Sequence, residues 1–501
     1  MNKPLRKVSV FCMLLVAALM VRTNWIQVVK ADDYSGHDKN RRAVYEEYSH
    51  PRGDFFVENK PITGSVETDS KYYEYQRTYV NGPMYAPITG FKSQFFGSNF
   101  LEGVENEILN GEDDRLFVRR VIDVVTGKDR RGGNVDLTIN AKAQEAAFNG
   151  LNGKTGAAVA IDPTTGKILA MASTPSYDPN KLAVNDSKAQ QAEWDSLQPD
   201  KNPAQPMENR AIRTIYAPGS TFKLVTAAAA LSSGKYQPDT ATNFESPLRY
   251  PNSVSSLSDQ AGSAACQGST LKVALEKSCN SVFAGIGQEL GDQAIKDQAQ
   301  AFGFNDFGKY DFTKGLDTKN NLTIPTRVSA SLYPANDEGG ATMRASIGQQ
   351  DVAATPLQMA SVVATIANNG KVQEPYLVSS LRSQSLDTIE QRSSKTLNEA
   401  VKPEVASQLQ DMMVGVVENG CTAAKIPGVK VGGKTGTAQR GPNNDQRPYA
   451  WFVSFAEVDG KKVAVAVVVE DQEADIDRND ISGCKSAAPI AVSMMKAALG
   501  K

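Results

Sequence analysis

The sequence predicts an α/β protein in which a large mixed domain follows a small, mostly β module and an N-terminal membrane helix. Residues 8–21 are an uncharged, apolar run that contains one polar residue, Ser9, and residues 32 to about 134 are polar, tyrosine-rich and dense in turn dipeptides. The remainder alternates strand-like apolar runs with alanine-rich helical runs. We therefore divide the chain into a cytoplasmic stub and membrane segment at 1–31, the small module at 32–149 and the α/β domain at 150–501.

Composition limits the class of function. The 501 residues are 41% apolar and 22% charged, with a formal net charge of −2, which is a globular rather than a disordered composition. This charge balance offers no broad basic surface, so we expect no nucleic-acid partner. Both histidines, His37 and His50, lie in the first tenth of the chain. Serine chemistry further along must therefore use another base.

The N-terminal segment is predicted to anchor the protein in the cytoplasmic membrane as a single span. Lys3, Arg6 and Lys7 precede the apolar run, and TNWIQVV after Arg22 extends it to about 20 residues, the length of a membrane helix, since Arg22 can extend its charged end to the interface. Basic residues before the span predict a cytoplasmic N-terminus and an extracytoplasmic bulk. The alternative is a cleaved signal peptide, since residues 29–31 (VKA) have the small-residue spacing of a cleavage site.

Strands and helices can be assigned at both ends of the larger domain. VDLTINAKAQEAAFNGL predicts a strand that leads into an amphipathic helix, and GAAVAIDPTTGKILAMAS predicts a hairpin around a turn containing proline and glycine. Near the C-terminus, YAWFVSFA and KKVAVAVVVE predict core strands, and APIAVSMMKAAL predicts a closing helix. The two ends of this domain therefore have the same mixture of strand and helix.

The cysteines fit an exported protein. Cys12 lies in the membrane segment, and the other four are an even set on the exported side, where disulfides persist. Four cysteines allow three pairings. The pair nearest in sequence, Cys266 with Cys279, spans a Ser/Gly-rich loop and would leave Cys421 with Cys484, while free buried thiols are the alternative. We expect no metal site, because the sequence has no CxxC or HExxH pattern.

Ser220, in the segment YAPGSTFK, is the candidate nucleophile. A Pro-Gly turn precedes it and an alanine-rich run follows, so it is expected in a first helical turn, where free N–H groups and the helix dipole favour a developing alkoxide. Lys223 shares its helix face and is expected to reach its hydroxyl. The alternative is an ordinary helix N-cap. The bare Ser-x-x-Lys pattern also starts at Ser232, Ser269, Ser482 and Ser493.

Two further motifs follow along the chain. Residues 278–280 (SCN) are the only Ser-x-Asn in the sequence, although such a tripeptide alone more often belongs to a loop or a helix cap. Residues 434–437 (KTGT) follow GVKVGG, a predicted strand whose glycines allow another backbone to approach closely. A second KTG, at residues 154–156, lacks the second threonine and is interpreted as a turn.

A nucleotide-binding protein is the main rival class. Residues 428–435, GVKVGGKT, match the phosphate-loop pattern. Such a loop must open directly into a helix, whereas the following residues, TGTAQRGPNN, contain glycines and a proline that prevent one. An exported domain also lacks a supply of ATP. We therefore reject this alternative.

The order Ser-x-x-Lys, Ser-x-Asn, Lys-Thr-Gly resembles the motif set of the penicilloyl serine transferases, which comprise penicillin-binding proteins and serine β-lactamases. NRAIRTIYAPGSTFK, SIGQQDVAATPLQMASVVATIANNG and GGKTGTAQ are similar to the transpeptidase domain of penicillin-binding proteins, over about residues 150–500. The resemblance implies an antiparallel sheet with flanking helices and an all-helical part. Residues 32–149 are similar to the dimerisation-type pedestal of class B proteins and are too short for the glycosyltransferase of class A.

The resemblance also implies roles for the motif residues. Lys223 would take the proton of Ser220, provided that burial and the like charge of Lys434 lower the pKa of Lys223. Ser278 would relay a proton to the leaving amine. The residues that would bind substrate are Asn280, Thr435, Gly436 and Thr437.

The implied reaction is D,D-transpeptidation of peptidoglycan stem peptides, without a cofactor. Ser220 would form an ester with the penultimate D-Ala, an amine of a neighbouring stem would take the acyl group, and penicillin would trap the serine. The implied partners are stem peptides, β-lactams and the cytoplasmic membrane, with a membrane glycan polymerase and division proteins as further candidates. The alternatives are a serine β-lactamase, a D,D-carboxypeptidase and a non-catalytic penicillin sensor.

Overall fold

The computed structural model describes residues 3–35, 41–116, 131–305, 328–336, 339–441, 444–471 and 481–501. His37 lies outside these ranges. The described residues form an N-terminal helix, a pedestal and a larger domain built on a central sheet. This is the predicted order of parts, but the pedestal is not mostly β as predicted, because helices cover more of its described residues than strands do.

The first element is a long apolar helix. An α-helix covers Lys3–Asn24 and continues as a π-helical turn over Trp25–Val29. The α-helix buries none of its residues against the rest of the protein, and Cys12 is exposed on it. Its length and apolar composition are sufficient for one membrane crossing. The helix therefore fits the membrane segment predicted from the sequence.

The pedestal combines short strands with short helices. Its five-stranded sheet runs, from edge to edge, through Thr388–Gln391, Val378–Arg382, Asn134–Leu137, Phe55–Val57 and Lys60–Pro61. The first two strands come from far along the chain, so a hairpin within residues 150–501 completes the pedestal sheet. The other pedestal strands are Thr63–Glu67, Tyr75–Tyr79, Lys92–Ser93 and Gly97–Ser98. Its helices are Ala31–Ser35, Arg41–Glu47, Gly82–Thr89, Phe100–Val104, Asn106–Asn110 and a 3₁₀ turn at Asp114–Leu116.

The central sheet of the larger domain is antiparallel throughout. Its order is Lys430–Ala438, Tyr449–Val458, Lys461–Asp471, Thr155–Ile161 and Ile168–Thr174. The hairpin predicted near residue 160 and the two core strands predicted near the C-terminus are confirmed. The strand Lys430–Ala438 lies at one edge of the sheet and adjoins the turn that carries Ser220.

Helices cover both faces of this sheet. Ala141–Gly150 and the predicted closing helix, Ala488–Leu499, pack together on one face. Pro356–Ala367 and Pro403–Asn419 lie on the other face, where they separate the sheet from a helical region. Every residue of Pro356–Ala367 is buried, as expected for a helix enclosed between a sheet and other helices.

The helical region positions the site. It is formed by Lys223–Ser232, Ser263–Cys266, Leu271–Lys277, Asn280–Leu290, Asp292–Ala301 and Gly339–Ala345. The remaining elements of the larger domain are helices Asn180–Ala183 and Ser187–Leu197, a 3₁₀ turn at Thr422–Ala424, a π-helical turn at Gly483–Ala487, and the strand pairs Leu248–Arg249 with Ser256–Leu257 and Lys371–Gln373 with Thr396–Glu399.

Candidate active site

Ser220 lies in a 3₁₀ turn, Gly219–Phe222, that leads directly into the α-helix Lys223–Ser232. The N-cap positions of the turn and of the helix are Pro218 and Phe222, so the interpretation of Ser220 as an ordinary N-cap is wrong. The preceding Gly219 has a φ of 51°, and a side chain there would meet Ala438 on the edge strand at 3.0 Å. Glycine therefore permits both the left-handed turn and its close approach to the strand.

The segments around Ser220 fix the position of this turn. Gly219 N donates to Gly348 O at 2.9 Å, and Thr226 Oγ1 donates to Ser346 O at 2.7 Å, so the chain after the helix Gly339–Ala345 is bound to the nucleophile segment. From the sheet, Trp451 Nε1 donates to Ala217 O at 3.0 Å. Ser220 is half-buried between these supports.

Residues 278–280 form a junction between two helices. Ser278 follows Leu271–Lys277 and has a left-handed backbone with a φ of 58°, and Asn280 begins the next helix, Asn280–Leu290. A non-glycine residue in this conformation is strained and is kept there by its surroundings.

A disulfide and a carboxylate fix this junction. Cys279 is bonded to Cys266, with a Cα–Cα distance of 5.6 Å. Asp259 accepts a hydrogen bond from Ser281 N at 2.9 Å and another from Ser281 Oγ at 2.5 Å. Asp259 and the two sulfurs lie within 4.8 Å of one another, but disulfide sulfurs are not the thiolates that bind metal.

Two buried lysines converge on the hydroxyl of Ser278. Lys223 Nζ donates to Ser278 O at 2.6 Å and to Asn280 Oδ1 at 2.7 Å, and it lies 3.3 Å from Ser278 Oγ. Lys434 Nζ donates to Ser278 Oγ at 2.9 Å and to Thr435 O at 3.0 Å. The three motifs, which are far apart in the sequence, therefore meet through one serine side chain.

Burial changes the protonation of both lysines. Burial first, and then the nearby charge of Lys434, hold the pKa of Lys223 well below its ordinary value, although Asp259 acts in the opposite direction. Burial lowers the pKa of Lys434 to about 7. A pKa of about 7 leaves Lys434 partly neutral at neutral pH, and the lowered pKa of Lys223 favours its neutral amine, the form that can accept a proton.

The third motif occupies the edge strand of the central sheet. A side chain at Gly436 would come within 3.0 Å of Pro218 O and of the Thr221 methyl group, so this glycine allows the strand to lie against the nucleophile turn. Thr435 and Thr437 are half-buried. Lys434 lies within the strand Lys430–Ala438, and no helix begins directly after it. This agrees with the rejection of a phosphate loop.

A cavity of about 530 Å³ lies in front of these residues. Ser220, Asn280 and Thr437 line it, whereas Lys223 is buried behind it. Among the described residues, no hydrogen bond joins Lys223 to Ser220. Bonds between a nucleophile and its base often tighten only when substrate is bound, so the predicted contact remains a prediction.

Several residues of the site were not predicted from the sequence. Asp259, Tyr250, Arg344 and Gln350 also line the cavity. They belong to no short motif, and they reach the cavity only through the tertiary packing of the loop at 246–262, the helix Gly339–Ala345 and the segment that follows this helix. The loop at 246–262 is rich in serine, a composition that by itself indicates only irregular structure.

The second disulfide lies away from the cavity. Cys421 is bonded to Cys484, with a Cα–Cα distance of 5.6 Å, and Cys421 belongs to the core beneath the closing helix. With the first pair, this is the pairing that the sequence favoured, and the four cysteines are not free thiols.

Comparison with known proteins identifies the family of this chain. A family model described as the penicillin binding protein transpeptidase domain matches residues 156–496, and one described as the penicillin binding protein A dimerisation domain matches residues 52–135. The chain therefore belongs to the penicillin-binding protein transpeptidase family, and its pedestal places it in class B. The family predicted from the three motifs is confirmed.

Individual relatives match along the whole chain. Peptidoglycan D,D-transpeptidase PbpA of Mycolicibacterium smegmatis is 42% identical over 508 residues, covering 100% of this chain and 99% of that protein. The protein of the same name from Mycobacterium tuberculosis is 40% identical at the same coverage. A solved structure of penicillin-binding protein A from M. tuberculosis, a penicillin G acyl-enzyme complex, is similar with a TM-score of 0.81 and 39% identity over 90% of this chain and 100% of that chain.

Proposed function

We propose that this protein is a peptidoglycan D,D-transpeptidase that cross-links stem peptides through an acyl-enzyme on Ser220 and is inhibited by penicillin. The observation that carries the proposal is the convergence of Lys223 and Lys434 on Ser278 Oγ, beside a cavity lined by Ser220 and Asn280. This arrangement supplies a base, a proton relay and a nucleophile without histidine. The similarity to proteins named D,D-transpeptidases supports the same reaction.

Acylation begins with proton transfer from Ser220 Oγ to the neutral amine of Lys223. The oxygen attacks the carbonyl carbon of the penultimate D-Ala, and backbone N–H groups of Ser220 and Thr437 stabilise the oxyanion. The bond to the terminal D-Ala then breaks, and its nitrogen receives a proton through Ser278. Free D-Ala leaves, and an ester remains on the enzyme.

Transfer of the acyl group repeats these steps in reverse. The amine of a neighbouring stem attacks the ester, gives up a proton through the same groups and forms the cross-link, which restores the Ser220 hydroxyl. Asn280 orients the donor amide. Thr435 and Thr437, on the edge strand that Gly436 brings close to the nucleophile turn, bind the terminal carboxylate of the donor. Lys434 fixes Ser278 and adds positive charge to the site.

The protein is proposed to work outside the cytoplasmic membrane, held by its N-terminal helix. The apolar helix Lys3–Val29 and the two disulfides of the larger domain support this location. A membrane glycan polymerase and division proteins are candidate partners of the pedestal, on the basis of family resemblance.

Labelling with penicillin tests the nucleophile. Labelled penicillin should attach to Ser220, and Ser220→Ala should abolish labelling while leaving the thermal unfolding transition in place, since only one oxygen is removed. Peptide mass spectrometry identifies the modified residue. An adduct on any other serine would refute the assignment.

A further inference from the structure

One wall of the catalytic cavity carries an arginine to which the proposed mechanism gives no role. Arg344 lies at the end of the helix Gly339–Ala345, lines the same cavity as Ser220 and is half-buried. Its Nε donates to Gln350 Oε1 at 2.7 Å, and its guanidinium carbon lies 5.5 Å from the centre of the Tyr250 ring. The guanidinium group is therefore held in one orientation from two sides.

The backbone that supports Arg344 is strained. Gln350 and Asp351 have φ angles of 54° and 58°, two consecutive non-glycine residues in the left-handed region. Directly before them, Gln349 N donates to Arg344 O at 3.0 Å, and the side chain of Gln350 itself accepts from Arg344 Nε. Strain of this kind persists where the surrounding structure imposes it, and it is concentrated at ligand-binding and active sites.

The charge of Arg344 is not neutralised within the part of the chain that the structure describes. None of the ion pairs among those residues includes Arg344. The carboxylate on the cavity wall, Asp259, is occupied, because it accepts hydrogen bonds from Ser281 and from Ser246 Oγ at 2.6 Å. An arginine has five N–H donors, and the contact with Gln350 uses one of them.

We propose that Arg344 binds a carboxylate of the donor stem peptide, on a residue that precedes the terminal D-Ala-D-Ala. This rests on the proposed function, in which the cavity holds the donor peptide and Thr435 and Thr437 hold its terminal carboxylate. A planar guanidinium that is fixed in orientation binds a carboxylate through two parallel hydrogen bonds. The site therefore selects donors that carry an acidic residue at this position.

The experiment uses two donor peptides that end in D-Ala-D-Ala and differ only in having glutamate or glutamine before this dipeptide. Each peptide is measured in two ways: by the kcat/KM of D-Ala release in the presence of an added amine acceptor, and by the concentration that protects Ser220 from fluorescent penicillin. Protection requires binding but no turnover. If both peptides protect and neither releases D-Ala, the proposed function fails while the carboxylate site is still tested.

We expect the wild-type protein to prefer the glutamate peptide roughly tenfold, the size of effect given by a charge-assisted hydrogen bond. The preference should appear in KM and in protection more than in kcat, because the contact is remote from the reacting bond. Arg344→Gln should remove the preference, and Arg344→Lys should restore only part of it.

Arg249→Gln is the matched control, because Arg249 is exposed and adjoins Tyr250 in the sequence. It removes the same charge and should keep the preference. Equal use of the two peptides by the wild-type protein would overturn the proposal. The proposal would also be overturned if Arg344→Gln weakened kcat/KM and protection by the same factor for both peptides, since that result would mean a structural role.

Discussion

Removing the disulfide between Cys266 and Cys279 should damage catalysis more than stability. Cys279 lies between Ser278 and Asn280, the two residues that hold Lys223, whereas Cys421–Cys484 lies away from the cavity and serves as an internal control. We compare two double variants in which both members of one pair are replaced by alanine. Each variant loses two sulfurs and one cross-link.

The stability cost follows from the length of the loop that each bond closes. In the chain-entropy model, sequence separations of 13 and 63 residues correspond to about 3 and about 4 kcal/mol respectively. The Cys421/Cys484 variant should therefore unfold at the lower temperature. The acylation rate should instead fall further in the Cys266/Cys279 variant, because displacement of catalytic groups by about 1 Å can cost roughly 10²-fold in rate.

The assay pairs a thermal melt with the second-order rate constant for acylation by a fluorescent penicillin. We expect the Cys266/Cys279 variant to lose roughly tenfold or more in acylation rate, and the Cys421/Cys484 variant to keep most of its rate despite the lower Tm. If acylation followed Tm in both variants, or if the Cys266/Cys279 variant acylated normally, the bond would have no part in positioning the Ser278 junction.

Three further outcomes test the mechanism. Lys223→Ala should slow acylation by ~10²–10⁴, the usual contribution of a general base, and a rate near wild type would exclude that role. Because Lys434 lowers the pKa of Lys223, Lys434→Gln should move the rising limb of the acylation pH profile to higher pH, and an unmoved limb would show that the two lysines are not coupled. The penicilloyl ester on Ser220 should persist for many minutes, whereas sustained penicillin hydrolysis would indicate a β-lactamase. Release of D-Ala from stem-peptide mimics should depend on an added amine. An ester that persists without acceptor-dependent release from any donor would leave only a binding role.

Sequence reasoning succeeded where the signal is local. The central hairpin, the C-terminal strands and the closing helix were each predicted from the spacing of apolar residues and the turn residues within one segment, and the structure contains all of them. Ser220 was separated from the other Ser-x-x-Lys serines by the Pro-Gly turn before it, and the structure shows that turn leading into a helix.

The features that the sequence did not predict depend on distant contacts. The hairpin Val378–Gln391 completes the pedestal sheet, and nothing in its own residues indicates a partner more than 200 positions earlier. Arg344 and Tyr250 form one wall of the cavity although they are 94 positions apart in the sequence. The short pedestal helices were missed because one or two turns are too few for a helical period to be recognised.

The motifs alone would not make a working site, because each depends on residues outside it. Ser220 needs glycine at 219 and 436 to bring the nucleophile turn against the edge strand. Ser278 needs a left-handed backbone, which the Cys266–Cys279 bond and the neighbouring Asp259 contacts support. Since both lysines act through Ser278, a shift of this junction would disturb the base and its charged neighbour together. Loss of activity in variants of the surrounding loop is therefore expected even when all three motifs remain intact.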